Sequence, residues 1–225
     1  MNKLNSKKSL RRKRFRRKVK IVFTTSIIML LLGIGILFGI KLQNLAHYKN
    51  IPKSLTSIGN KKVQQMLLTP NKYSRPQIPL KKVKSVVVHY TANPGTTGKA
   101  NRNYFENLRI EKTTSASSHF VIGLEGEIIQ CIPLDEISYA SNDRNIDTIS
   151  IECCHPDETG KFNDKTYDSL VALLSWICTE YRLKTDDIIR HYDVTGKLCP
   201  LYYVDNENAW EKLKADVDDY MKLKH

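Results

Sequence analysis

The chain opens with two segments of opposite character and then settles into mixed patterning. Residues 1–20 are basic and polar, whereas 21–40 is a run of twenty residues without a charge, including Ile27-Ile28-Met29-Leu30-Leu31-Leu32. At about 1.5 Å rise per residue such a run spans roughly 30 Å, the hydrocarbon thickness of a bilayer, and predicts a transmembrane helix. From 41 to 74 the pattern is polar and irregular, with Pro52 and Pro70, and predicts a stalk with one short helix around 61–68. The β-branched run at 83–90 predicts a buried strand. Residues 100–108 predict a helix with Tyr104, Phe105 and Leu108 as its apolar contacts. Stretches 119–123 and 127–132 flank Leu124-Glu125-Gly126 and read as a hairpin. Residues 147–153 predict a further strand. Leu170, Leu173, Leu174, Ile177, Cys178 and Tyr181 recur at helical spacing, with Asn163 or Asp164 available as cap. Trp210, Leu213, Val217, Tyr220 and Met221 form a second stripe. Between the two, Ile188-Ile189 predicts a short strand leading into Arg190-His191. Strands interleaved with helices predict an α/β domain, a mixed central β-sheet flanked by helices, preceded by a single N-terminal transmembrane helix.

Charge changes the picture only at the N-terminus. The formal net charge is +13, but residues 1–20 hold eleven Lys and Arg and no acid, leaving a net +2 for the rest. A body so close to neutral takes away most of the support for a basic nucleic-acid-binding domain. The positive cluster before the apolar run predicts a cytoplasmic N-terminus and an exported body. A cleaved signal peptide is the rival. The run is longer than the usual apolar core and no small-residue cleavage site follows, so an uncleaved single-pass membrane anchor is the reading. Gly35 and Gly39 make a G-x-x-x-G spacing that can support helix pairing, although incidental glycines in a membrane helix are the simpler account. The expected organisation is a cytoplasmic tail at 1–20, an anchor at 21–40, an extracytoplasmic stalk at 41–74 and a domain at 75–225.

Five cysteines is an odd number for an exported domain stapled by disulfides. A ligand thiolate at Cys199 leaves four. Cys131 and Cys178 sit in apolar surroundings and read as buried small hydrophobes. Cys153 and Cys154 are neighbours on a predicted strand, so their side chains should point to opposite faces. The sequence leaves one disulfide among these four open.

The stretch from Arg190 to Pro200, R-H-Y-D-V-T-G-K-L-C-P, brings an imidazole, a lysine and a thiol close together on a Gly-containing loop. His89 closes the Val86-Val87-Val88 strand roughly a hundred residues earlier. Taken singly, each histidine has an ordinary alternative as a satisfied structural residue. Together, His89, His191 and Cys199 make three protein ligands, the number a catalytic zinc site uses while leaving a position for water. Zn(II) suits this nitrogen and sulfur set, whereas Mg(II) or Ca(II) calls for oxygens.

Val-Val-His89-Tyr-Thr, Ser-Ser-His119-Phe-Val-Ile-Gly, Ile-Ser-Ile-Glu152 and Arg-His191-Tyr-Asp-Val-Thr-Gly-Lys197-Leu-Cys199-Pro resemble the type-2 zinc N-acetylmuramoyl-L-alanine amidases. These are relatives of phage lysozyme-type amidases and of peptidoglycan-recognition proteins, and the resemblance covers about residues 75–222. It implies one zinc held by His89, His191 and Cys199. It also implies cleavage of the amide between the lactyl group of N-acetylmuramic acid and L-alanine of the stem peptide. The resemblance implies peptidoglycan as partner; the apolar N-terminal run adds the membrane, the near-neutral body argues for no nucleic acid, and a monomer is expected. Amide cleavage needs a base, and Glu152, ending an otherwise apolar strand where desolvation raises a carboxyl pKa, fits that role. Lys197 can direct its ammonium at the oxyanion. One departure stands out: some branches place a tyrosine directly before the residue matching His119, and here Ser118 stands there. His119 reads as structural or as a support behind the ligands, not as a ligand, and His155 as a surface residue, with the lining of the cleft as its alternative. Asp193 reads as positioning the ligand loop. Asn93, Arg102 and Asn145 are candidates to meet sugar or peptide. The alternatives are a non-catalytic binding module, which generally lacks the cysteine, and a zinc peptidase cutting within the stem peptide.

Overall fold

The computed structural model describes residues 23, 25–27, 29–43 and 50–223. The basic tail at 1–20, His47 and His225 lie outside them. The chain divides into two compact units, Met1–Ile51 and Pro52–His225. In the first, helix α1 (Thr25–Gln43), 19 residues with mean hydropathy 2.2, is long and apolar enough to cross a membrane by length and composition.

The second unit is built on a mixed seven-stranded sheet flanked by helices. Its strands are β1 (Ser57–Ile58), β2 (Lys61–Gln65), β3 (Ser85–Tyr90), β4 (Phe120–Ile122), β5 (Ile128–Gln130), β6 (Thr148–Cys153) and β7 (Ile188–Arg190). Its helices are α2 (Gly98–Glu111), α3 (Asp164–Tyr181), the one-turn α4 (His191–Thr195), α5 (Leu201–Asp205) and α6 (Glu207–Lys222). The strand order is β1-β2-β5-β4-β6-β3-β7. β3 lies between β6 and β7 and runs parallel to both. Its three consecutive valines are wholly buried, the continuous apolar run of a parallel strand covered on both faces. β4 and β5 form the expected antiparallel hairpin, closed at Gly126, whose φ of 78° favours glycine.

Local chemistry sets the helix ends. Thr97 caps α2 by accepting the Ala100 N–H, and Asn163, not Asp164, caps α3 by accepting the Thr166 N–H. The stripe on α3 is buried throughout, as are Trp210, Leu213 and Val217 of α6, and the two helices pack together. Each such leucine contributes roughly 1.5–3 kcal/mol by leaving water.

Three expectations need correction. The helix around 61–68 is absent: residues 61–65 form β2, parallel to β5. Met66 and Leu68 prolong the pairing through bonds from their N–H groups to Gln130 O and Cys131 O, 3.0 and 2.8 Å. The apolar Met66-Leu67-Leu68 cluster favoured a helix, but the otherwise open edge of β5 takes the segment as a strand. The folded unit also starts at Pro52, so much of the expected 41–74 stalk belongs to it. Buried Gln130 fixes this segment, accepting the Leu55 N–H at 2.7 Å and donating to Lys53 O at 2.8 Å. The ligand loop is likewise partly helical, since α4 begins at His191. All five cysteines are free and buried.

Candidate metal centre

Sheet register builds the centre. His89 pairs with Glu152 across β3 and β6, and Val88 pairs with Arg190 across β3 and β7, so the next residue of that strand line is His191. Because side chains alternate by two along a strand, His191, His89 and Glu152 lie in a row on one face, at the C-terminal ends of three parallel strands. Open α/β sheets place their sites at such ends.

Cys199 arrives by a chain reversal. Gly196 ends α4 with φ 76° and bonds back to Tyr192 O at 2.7 Å. The Tyr192 N–H then donates to Cys199 O at 2.9 Å, closing the loop. Asp193 accepts the Arg190 N–H at 2.8 Å, the positioning role expected of it. The Arg190 guanidinium ties the loop to Tyr203 O and Glu207, 3.0 and 2.6 Å away.

One donor atom from each of His89, His191 and Cys199 lies within 4.8 Å of the others. The His89 Nδ1 to Cys199 Sγ distance is 3.8 Å, and the two imidazole centroids are 4.6 Å apart. Tetrahedral zinc, with bonds of about 2.0–2.1 Å to nitrogen and about 2.3 Å to sulfur, needs an N···S separation of about 3.6 Å. The donor set and its spacing therefore fit zinc.

Electrostatics point the same way. Burial, reinforced by His191 and Lys197, holds His89 well below its ordinary pKa. Burial and then Lys197 lower His191 too. Both rings stay neutral, with a lone pair available. Burial pushes the Cys199 thiol up to about 12, with Glu152 adding to the rise and the Tyr90 backbone and Lys197 opposing it. A thiol so resistant to ionisation becomes a thiolate when a cation sits against it. Burial raises Glu152 to about 8, with the Lys197 charge pulling the other way, and its Oε2 is buried without a hydrogen-bond partner.

A cleft of about 150 Å³ opens over this row, lined by the three donors, Glu152 and Lys197, and also by Tyr90, Phe105, Ala116, Ser117, Tyr139 and Ala140. Glu152 and Lys197 thus share the cleft with the metal-binding candidates. Tyr139 was not expected: it sits on a loop with no motif and reaches the cleft only through the fold. The Ser117–Tyr139 pairing, Ser117 N–H to Tyr139 O at 3.0 Å and Tyr139 N–H to Ser117 Oγ at 2.9 Å, holds it there.

Other expected contacts lie elsewhere. Arg102 is spent on Met66 O, Leu67 O and Glu106. Asn145 accepts the Ala140 and Ser141 N–H groups. Asn93 is exposed on the loop before α2. His119 is structural, as read: it is fully buried, with Nδ1 accepting the Ser150 N–H at 3.1 Å and Nε2 2.9 Å from Glu136 O. His155 corrects the sequence reading. It is buried, not on the surface, with its ring 5.1 Å from that of Tyr90 and Nδ1 2.7 Å from Asp157 O.

The chain is similar to proteins named as N-acetylmuramoyl-L-alanine amidases. N-acetylmuramoyl-L-alanine amidase CwlL of Bacillus licheniformis is 32% identical over 174 residues, 71% of this chain and 48% of that protein. N-acetylmuramoyl-L-alanine amidase BlyA of Bacillus subtilis is 33% identical over 175 residues, 68% of this chain and 46% of that protein. The chain spans about half the length of these curated relatives. Among solved structures, the catalytic domain of XlyA matches with a TM-score of 0.58 at 25% identity, covering 69% of this chain and 99% of that one. A mutant endolysin from Bacillus subtilis matches with a TM-score of 0.59 at 27% identity, covering 70% of this chain and 99% of that one. Residues 79–201, more than half the chain and inclusive of all five candidate site residues, match the family Amidase_2, N-acetylmuramoyl-L-alanine amidase, and the chain belongs to that family.

Proposed function

We propose that this protein is a membrane-anchored, zinc-dependent peptidoglycan amidase. It cleaves the amide between the lactyl group of N-acetylmuramic acid and L-alanine of the stem peptide. α1 serves as the single-pass anchor after a cytoplasmic tail, and residues 52–225 form the catalytic domain facing the cell wall. The observation that carries this reading is the convergence of two neutral imidazoles, one thiol and a glutamate with one buried, unpartnered oxygen on one cleft of an Amidase_2 domain.

His89, His191 and Cys199 would hold one zinc ion. Bound there, zinc supplies a Lewis acid for the scissile carbonyl and brings the pKa of a water toward about 7. Glu152, beside His89 in register, takes the proton of the attacking water and returns it to the departing nitrogen. Its buried setting raises its proton affinity toward neutrality, which suits a group that must both accept and release a proton near the working pH. Lys197 places its ammonium in the same cleft. It stabilises the negative charge that develops on the carbonyl oxygen and favours the ionised form of Glu152. Tyr139 and Tyr90 form walls that confine the reacting groups.

The test is digestion of purified peptidoglycan by the full-length chain in detergent, with and without a chelator, followed by mass spectrometry. Stem peptides with a free L-alanine amine, released only without chelator, are the expected products. Intact muropeptides would overturn the amidase assignment, and shorter peptides with the lactyl amide preserved would point to a peptidase.

A further inference from the structure

Ser141-Asn142, a dipeptide that no motif singled out, touches both imidazoles on the Nε2 side. Ser141 is fully buried, and its Oγ lies 3.3 Å from His89 Nε2. Asn142 Oδ1 lies 3.4 Å from His191 Nε2. The opposite nitrogen of His89, Nδ1, faces Cys199. A neutral imidazole carries one N–H, so a lone pair on Nδ1 puts the proton on Nε2, aimed at Ser141 Oγ.

The segment is pinned at several points. Asn145 Oδ1 accepts the Ala140 and Ser141 N–H groups at 3.0 and 2.6 Å, and the Arg144 N–H donates to Ser141 O at 2.9 Å. The Arg144 guanidinium bonds Asp147 at 2.7 Å and Ser85, the first residue of β3, at 3.0 Å. The turn is therefore tied to the strand that carries His89. Asn142 itself sits at φ 51°, in the left-handed region. A non-glycine residue stays there when its surroundings over-determine it, and such residues gather at functional sites.

We infer that Ser141 and Asn142 are positioning residues for the metal centre: together they hold the two imidazoles by Nε2, fixing the tautomer and the ring angle that His89 presents toward Cys199. This rests on the zinc reading above. Partners on the far nitrogen of a ligating histidine typically set metal affinity by 10–100-fold. Buried Ser141 carries the larger share, because the Asn142 contact is longer and only partly buried.

The full-length chain in detergent tests this by zinc competition against a chromogenic chelator and by the absorption spectrum of the Co(II)-loaded protein. Ser141→Ala should weaken zinc binding about 10-fold or more and shift the cobalt bands. Asn142→Gly, which keeps the left-handed backbone, should weaken it less, while Asn142→Asp, which keeps the acceptor oxygen, should bind at least as well as wild type. Wild-type affinity and an unchanged cobalt spectrum in both Ser141→Ala and Asn142→Gly would overturn the inference. Should Ser141→Ala not fold, the Asn142→Gly and Asn142→Asp pair decides: equal affinity in the two overturns it, and weaker binding by the glycine variant alone supports it. Failure here is separable from failure of the amidase reading. A wild-type chain that binds zinc in a Ser141-dependent way yet releases no stem peptide would refute the activity and leave the positioning role intact.

Discussion

Two buried histidine clusters share one sheet, and they are opposites. Around His119 every polar atom has an answer. Its Nδ1 accepts the Ser150 N–H, its Nε2 faces Glu136 O, and the Ser150 hydroxyl is 2.7 Å from Ser138 Oγ and 3.1 Å from Ser118 Oγ. Burial alone keeps the ring neutral, its pKa lowered to about 4. Around His89 the accounts stay open. The Cys199 thiol has His89 Nδ1 as its neighbour at 3.8 Å, and Glu152 keeps an unpartnered buried oxygen. A satisfied network specifies and rigidifies a core, whereas an unsatisfied one is costly and persists where function needs it. The serine where some branches of the family place tyrosine belongs to the first cluster: Ser118 is wholly buried against Ser150.

Substitutions at the two clusters test that contrast. The largest effect is expected from Cys199→Ser. On the proposed zinc reading, losing the ion would forfeit several kcal/mol of transition-state stabilisation, so turnover on purified peptidoglycan should fall by about three orders of magnitude or more. Near-normal turnover would remove the metal from the account. Glu152→Gln should lower kcat by roughly 10²–10⁴-fold and yet raise the stability of the metal-free protein. The sign follows from proton binding. The folded carboxyl keeps its proton to about 8, against 4.5 ordinarily, so wild type loses stability as pH rises through that window and the glutamine variant does not. Thermal melts of chelated protein should show the variant's Tm advantage growing from pH 5 to pH 8; a constant difference would contradict it.

Lys197→Met should cost about 10²-fold in kcat. It should also move the ascending limb of the pH–rate profile to higher pH, because the ammonium lowers the Glu152 pKa and its removal lets that value climb. A limb that stays put would separate Lys197 from Glu152. The smallest catalytic effect belongs to His119→Gln. It should destabilise the fold by about 1–3 kcal/mol for each buried group left unpaired, read by denaturant titration, with kcat nearly unchanged.

The parts of the molecule legible in the sequence are those where one physical signal dominated. β3 and β6 are apolar runs, α3 carries a full helical stripe, and the Arg190–Pro200 stretch holds two donors within one short loop. What stayed illegible depends on long-range pairing. The resemblance groups Glu152 with His89 at one site, but that the two are direct neighbours follows only from the parallel alignment of β3 and β6, which no local pattern encodes. β2 has a single fully buried side chain, Val63, too little alternation to mark a strand against the apolar cluster beside it. Tyr139 and Ser141 come from a loop with no periodicity, and Asn142 opens the short 3-10 turn that follows it. His155 follows a strand end and precedes Pro156-Asp157-Glu158, a polar context that hid its burial against Tyr90.

The contrast between the two clusters meets its most direct test in the zinc content of the purified full-length protein, measured by elemental analysis for wild type, Cys199→Ser and His119→Gln. About one zinc per chain is expected in wild type and in His119→Gln, with Cys199→Ser close to empty. Zinc retained at full stoichiometry by Cys199→Ser, or lost from a folded His119→Gln, would contradict it.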